Sequence, residues 1–357
     1  MSLRVAQCPI PGPSLGTLSI IEVVSTGWRL YRAHFFEYVA IALRGIGWSF
    51  VPTLVLTVML LWILEQGAEL GDFSGLSALF VPAWLVLFLW CKAQSLGWLA
   101  GISRLAYQSL WCGYLEGADI KGADVEGAND AGTETVLAVN ESGREAPIRS
   151  LRFTRSRRFS LLGSVLIQSV ILGSVVVTFI AAIFFSVGMT FAGMGMVPGA
   201  EPNVSLFFLG GGSVLASVAI FAGVYVWLLI RMLLAEQAIA IEEKTGAVAS
   251  VGRTWQMTKG SVLRTACVAV LIVFISLPVT LLTWLAAQSV SFVVLERIGI
   301  QLNRFELSSM DFLPLVVFFL ITILVSMAGG IITQPLFGTV FTTLYLDQRI
   351  RKERNRA

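Results

Sequence analysis

The chain has 357 residues, 56% hydrophobic and 13% charged, with a formal net charge of +3. A charged share about half that of an average soluble domain, with apolar runs near the ~20 residues needed to cross a bilayer, excludes an ordinary soluble domain. The four cysteines, Cys8, Cys91, Cys112 and Cys267, lack ligand-like spacing, so neither a disulfide framework nor a metal site is expected.

Residues 1–16 contain three prolines and no long apolar core, and read as a disordered leader rather than a signal peptide. Ile20, Val24, Trp28, Tyr31 and Phe35 then recur at helical spacing, with Glu22, Ser25, Arg29 and Arg32 mostly opposite. This is an amphipathic helix that either lies in the headgroup region or packs against the spans. A first span over about 38–64 carries Arg44 and bends near Pro52, and a second over about 76–98 carries Lys92.

From Gly113 to Glu145 there are eight carboxylates and two basic residues. The units ADIKG, ADVEG and ANDAG within it resemble the pentapeptide repeat of square β-helices, though a flexible loop is the competing reading. Five arginines follow at once: Arg149, Arg152, Arg155, Arg157 and Arg158. Such a juxtamembrane cluster can attract anionic lipid, hold the loop on the cytoplasmic side, or fold back on the acidic segment. It lacks the modules of nucleic-acid binding, which is not expected.

Spans over about 161–187 and 211–230 come next, then the stretch from Ala238 to Arg264, which reads as a surface helix ended by Gly260. A fifth span covers about 265–289, with Pro278 inside it. A sixth covers about 312–332, closed by Pro335 ahead of a separate basic helix in which Leu336, Val340 and Leu344 share a face and Asp347 can pair with Arg351.

The segment GRTWQMTKGSVLR aligns without gaps on STGWRLYRAHFFE, matching Trp255 to Trp28 and Lys259 to Arg32. A weaker copy, SLRFTRSRRFSLL, sets Phe153 at the tryptophan position and Arg157 at the basic one. These copies predict a threefold repeat. The fold expected is an all-α integral membrane protein with six transmembrane helices in three hairpins, each preceded by a basic interfacial helix, plus a C-terminal cytoplasmic helix. The units are a leader (1–16), repeat 1 (17–112), acidic loop (113–147), repeat 2 (148–237), repeat 3 (238–334) and basic tail (335–357). In that topology 21 Lys and Arg lie on the inner side and two, Arg297 and Arg304, outside, with Arg44 and Lys92 in spans. This bias places both termini in the cytoplasm.

The stretch AIAIEEKTGAVASVGRTWQMTKG is similar to a pattern of the bacterial membrane-domain family of glycerophosphoryl diester phosphodiesterase and of the related YciC-like six-span proteins. The terminal LYLDQRIRKE is similar to that family's ending, with departures at Leu346 and Gln348; Met257 also departs from the commoner leucine. The resemblance implies a stand-alone membrane domain in a bacterial plasma or internal membrane. The hydrolase activity of fused relatives belongs to a separate barrel, for which this chain has no room.

No nucleotide loop, zinc-protease motif or serine-hydrolase elbow is present, and His34 is the only histidine, so no enzyme and no cofactor is expected. Arg44, Lys92 and Arg231 border or enter spans and are candidates for intramembrane, lipid or partner contacts together with Glu236. They are read either as snorkelling anchors or as the lining of a charged cavity. Trp28, Tyr31, Arg32, Trp255 and Lys259 are the expected interfacial anchors, and Glu242 is expected to tether Arg29 or Arg32. The function expected is binding of lipid or scaffolding of a membrane complex, with segment 113–158 as the docking region for a membrane-protein partner. The alternative is a transporter or channel.

Overall fold

A computed structural model describes residues 18–66, 73–122, 147–194, 203–243, 245–302 and 313–354. Within them the chain forms ten α-helices and no strand: α1 (Ile20–Ala33), α2 (Phe35–Gln66), α3 (Phe73–Gly122), α4 (Pro147–Ser156), α5 (Arg158–Gly193), α6 (Val204–Met232), α7 (Ala235–Ile241), α8 (Ala247–Thr258), α9 (Val262–Leu302) and α10 (Leu313–Arg354). Six of the helical stretches are long and apolar enough to cross a membrane, as the hydropathy pattern required.

Local chemistry sets the start of α1. Ser19 accepts the Glu22 amide at 3.2 Å, and the Glu22 carboxylate accepts the Ser19 amide at 2.6 Å, closing a capping box. These bonds hold the Glu22 carboxyl below the usual range, the Ser19 backbone N–H acting most strongly. The helix buries Val23, Val24, Gly27, Leu30 and Tyr31 along one side. The chain breaks only at His34 before α2 begins.

Consecutive long helices pack along one another: α2 on α3, α5 on α6, and α9 on α10. The short amphipathic helices cross between pairs. Helix α4 lies on α3, and α8 lies on α5 and α6, whereas α1 returns to α9 and α10 at the far end of the chain. Each therefore rests mainly on the long pair that precedes it in cyclic order. Buried positions recur at identical intervals: Gly27, Tyr31, Tyr38 and Ile41; Ser150, Thr154, Leu161 and Ser164; Thr254, Thr258, Thr265 and Val268. This register sets Leu151, not Phe153, beside Trp28 and Trp255, and Arg155, not Arg157, beside Arg32 and Lys259. The ungapped alignment matched aromatic character, whereas burial follows the face pressed on the neighbouring helices.

The packed core sits at the end that holds α1, α4, α7 and α8. It joins Tyr38 and Ile41 of α2, Ile102 and Ala106 of α3, and Val340 and Leu344 of α10. Toward the other end the long helices expose bulky apolar side chains, among them Phe184, Phe208, Leu215 and Leu282. In lipid such a surface needs no protein cover.

Several boundaries differ from the sequence expectation. Helix α10 runs unbroken through Pro335, so the tail is the second half of a span-length helix and not a separate one. A proline removes one amide and leaves carbonyls behind it without helical partners. The Tyr31 hydroxyl donates to the Ile332 carbonyl at 3.0 Å, one residue after Ile331, whose carbonyl is the one the proline deprives of its helical donor. At Pro52 in α2, the Trp84 indole N–H donates to the proline carbonyl at 3.0 Å. Helix α3 continues to Gly122, so ADIKG is helical and not a β-coil; 123–146, with the other two units, lie outside the described residues. The surface stretch Ala238–Arg264 is not one helix. It is divided at Glu242–Gly246 between α7 and α8, then turned at Gly260, whose φ of 86° is favourable for glycine.

Close approach fixes the crossing of α1 over α10. A Cβ at Gly27 would lie 2.8 Å from the Val340 Cα, whereas one at Gly211 in α6 meets no atom within 4 Å. Gly27→Ala is expected to destabilise the protein by about 1–3 kcal/mol, and Gly211→Ala to leave it unchanged or slightly stabilised. Thermal unfolding of both variants in one detergent checks this; equal midpoints would contradict the crossing.

Candidate functional site

The packed end carries two kinds of polar construction: clasps that join the elements, and arginines laid on aromatic rings. The clasps come first because they position the arginines. Asp347, with a side chain only 2% exposed, accepts from the Leu18 amide at 3.0 Å. It also pairs with Arg264 at 2.8 Å and Arg351 at 3.0 Å. Both guanidiniums donate to the Leu18 carbonyl as well, so one carboxylate joins the entry to α1, the start of α9 and the end of α10. The i,i+4 pairing of Asp347 with Arg351 is the part read from spacing; the other partners are distant in sequence.

Glu242 plays the corresponding part after α7. Its carboxylate accepts from Arg253 at 2.6 Å, from the Thr245 hydroxyl at 2.8 Å and from the Tyr345 hydroxyl. The expected tether to Arg29 or Arg32 is not formed: Arg29 bonds Thr26 at 3.4 Å, and Arg32 is exposed. Gln108 of α3 accepts from the Ser150 hydroxyl of α4 at 2.8 Å. In each case an acceptor near the end of one element holds the entry or body of the next short helix.

Arg157, the single residue between α4 and α5, crosses to the end of α7. It donates to the carbonyls of Ile239 at 3.3 Å and Thr245 at 3.4 Å, and to those of Glu242 and Glu243. Ile239 lies in the last turn of α7 and Glu242 is its C-cap, while Glu243 and Thr245 belong to the turn that follows, so Arg157 caps the helix end and holds the turn after it. Burial, then the nearby Arg104 guanidinium, lowers its pKa, with Glu243 opposing.

The remaining arginines sit on rings. Arg44 and Arg155 both lie over Trp98, at 5.5 and 5.0 Å from its centre. Arg158 lies over Trp90 at 4.7 Å and over Phe159 at 5.1 Å. Arg231 lies over Trp227 and Trp255, at 5.1 and 4.8 Å, and donates to the Trp255 carbonyl at 3.1 Å. Arg104 and Arg157 share Phe153, at 3.6 and 5.0 Å. Arg152 is exposed, and the side chain of Arg149 lies outside the described residues.

Arg44, Lys92 and Arg231 thus have different neighbours. Lys92 is half-buried, and its charge acts at the Glu236 carboxylate. Arg44 belongs with Arg155, and Arg231 with the α6–α8 contact. Among the expected anchors, Trp28, Trp255, Arg32 and Lys259 are exposed. Tyr31 is the exception: its ring is 5% exposed and its hydroxyl is used by the Ile332 carbonyl. Burial raises its pKa.

Sequence reasoning did not select Trp98, Trp90 or Arg157 as a cap, because their partners lie on other elements. The available signal was tryptophan on a span near its basic end. His34 lies 3.4 Å from Glu37 and against the Tyr38 ring. Among the described residues no group of three His, Cys, Asp or Glu side chains is placed to hold a metal ion. A groove of about 350 Å³ between α5 and α6 is lined by residues such as Thr178, Phe179 and Phe221 and carries no charge. No protein family, curated protein or solved structure matches the chain.

The Asp347 clasp can be separated from an exposed pair on the same helix. Asp347→Asn leaves two guanidiniums facing a neutral amide and is expected to cost about 2–4 kcal/mol. Glu353→Gln breaks the pair with Arg349, in which Glu353 is 62% exposed, and is expected to cost about 0–1 kcal/mol. Thermal unfolding reports the costs, and hydrogen exchange should show faster exchange of α1 amides in the first variant alone. Unchanged α1 protection in Asp347→Asn would refute the clasp.

Proposed function

We propose that the protein is a non-catalytic, multi-pass membrane protein that binds lipid at its basic end, in a bacterial plasma or internal membrane with both termini cytoplasmic. One observation carries this reading: the arginines beside the span ends lie on tryptophan and phenylalanine rings, with exposed apolar surface next to them. Ring faces hold a guanidinium without neutralising it, so the charge stays available to an anionic headgroup. Tryptophan and arginine together suit the boundary between hydrocarbon and headgroups.

Three hairpins, each preceded by a basic interfacial helix, and the threefold repeat are part of this proposal. The recurrent burial pattern and the cyclic seating of α1, α4 and α8 support both. The resemblance to the membrane-domain family of glycerophosphoryl diester phosphodiesterase agrees with a role without chemistry of its own. Segment 113–158 remains the proposed docking region for a membrane-protein partner; its described parts are the last residues of α3, 113–122, and 147–158, in which α4 lies on α3. The transporter reading has one feature in its favour, that the Lys92 charge acts at the Glu236 carboxylate.

The test is purification in a mild, lipid-preserving detergent followed by mass spectrometry of what is retained. Selective retention of acidic phospholipid, weakened by salt, is the expected result. Retention of a stoichiometric protein with no selected lipid would favour the scaffold reading, and solute flux in liposomes that disappears in Lys92→Gln would favour transport. Orientation is checked separately: a reporter fused after Arg354 should be active only in its cytoplasmic form, and one inserted at residue 200 only in its external form.

A further inference from the structure

We propose that Arg44, Arg155 and Arg158, gathered at Trp98 and Trp90, form a binding site for the phosphodiester of an anionic phospholipid. The site joins residues that the sequence assigned to different features: Arg44 to an intramembrane set, Arg155 and Arg158 to a juxtamembrane cluster. It rests on the lipid-binding reading above and gives it a location.

The three guanidiniums are electrostatically unbalanced. Arg44 and Arg155 approach the same indole ring, at 5.5 and 5.0 Å from its centre, and Arg158 lies over Trp90, about two turns earlier on α3. Among the described residues none of the three has a carboxylate within ion-pair distance, unlike Arg253, Arg264, Arg349 and Arg351. A ring stabilises a cation by about 0.5–2 kcal/mol but does not cancel its charge. Like charges held together at a span end call for an anion. The Trp98 indole N–H adds to the imbalance, because it is buried without an acceptor.

Backbone geometry brings these charges together. A Cβ at Gly97 would touch the Arg158 Cβ at 3.3 Å and the Arg155 Cα at 3.6 Å, so α3 and the α4–α5 junction are in close contact next to Trp98. Helix α5 starts at Arg158, and Arg157 supplies it with no side-chain cap, its guanidinium being engaged with the end of α7.

The surroundings select a lipid rather than a dissolved anion. Exposed apolar residues continue from the arginines along the spans: Leu43 and Trp48 beside Arg44, Val86 and Trp90 on α3, and Phe159 on α5. A phosphodiester on the guanidiniums would leave its acyl chains along this surface. Planar guanidiniums can each give two parallel hydrogen bonds to phosphate oxygens, which lysine cannot.

The experiment uses the full chain in nanodiscs of phosphatidylcholine with increasing phosphatidylglycerol, with lipid occupancy read by native mass spectrometry. Arg44→Gln and Arg155→Gln should each weaken phosphatidylglycerol binding about fivefold. The double variant should lose less than the product of the two, since both act on one phosphate. Arg152→Gln, an exposed arginine on the same helix, should have no such effect. Unfolding midpoints show that each variant remains folded, and Arg44→Lys covers a glutamine variant that does not, with weaker binding expected again.

If wild type selects phosphatidylglycerol but Arg44→Gln and Arg155→Gln lose no more than Arg152→Gln, the site is overturned and lipid binding stands. No selectivity in wild type would overturn both. Displacement of the lipid by inorganic phosphate at equal concentration would make this a general anion site and overturn the lipid assignment. Deleting residues 123–143 distinguishes a resident acidic segment: a tenfold gain in lipid affinity would make that segment the occupant and overturn the proposal, whereas unchanged affinity supports it.

Discussion

Asp347 is the constraint on which the arrangement of the packed end depends. Its carboxylate, almost fully removed from solvent, holds the backbone before α1 and two arginines from the starts and ends of later helices. Withdrawing a carboxylate from water is costly unless opposite charge and hydrogen bonds replace the lost hydration. Two guanidiniums and one amide do so here, and removing any of them leaves the others poorly paired. The first described residue of the chain is thereby fixed to its last helix, so the cyclic seating of α1, α4 and α8 closes on itself.

The same accounting explains the less regular features. Pro52 and Pro335 each remove one backbone donor from a long apolar helix. Trp84 donates to the carbonyl of Pro52 itself and Tyr31 to that of Ile332, so side chains from neighbouring elements contact the backbone close to both prolines. The end of α7 and the turn after it present four carbonyls, and Arg157 reaches across from the α4–α5 junction to take them. Polar side chains on one element thus complete the backbone of another. That requirement ties the order of the short helices to the order of the long ones.

Much of the candidate site could be read in the sequence as residue types but not as groups. Arg44, Arg155 and Arg158 were all selected, because charge near a span end is rare and expensive. Their common neighbour Trp98 was not, since nothing within one segment relates it to an arginine in α4. The grouping of Arg44 with Lys92 and Arg231 followed from similar depth along each span. Depth gives the height of a side chain along its helix and not the direction it faces around the bundle.

The sequence by itself determined that the chain is helical and that six stretches are long and apolar enough to span a membrane. These follow from hydropathy, length and local charge, which act within a segment. It also determined the amphipathic α1, the turn at Gly260 and the i,i+4 pairing of Asp347 with Arg351, because each involves neighbours a few residues apart. Tertiary structure alone decided that α10 continues through Pro335, that Tyr31 turns inward, that Glu242 meets Tyr345 and Arg253, and that Arg44 and Arg155 share one ring. In each case the deciding atom, a backbone carbonyl, a buried acceptor or a ring face, belongs to a separate turn or helix, and only packing determines which one arrives.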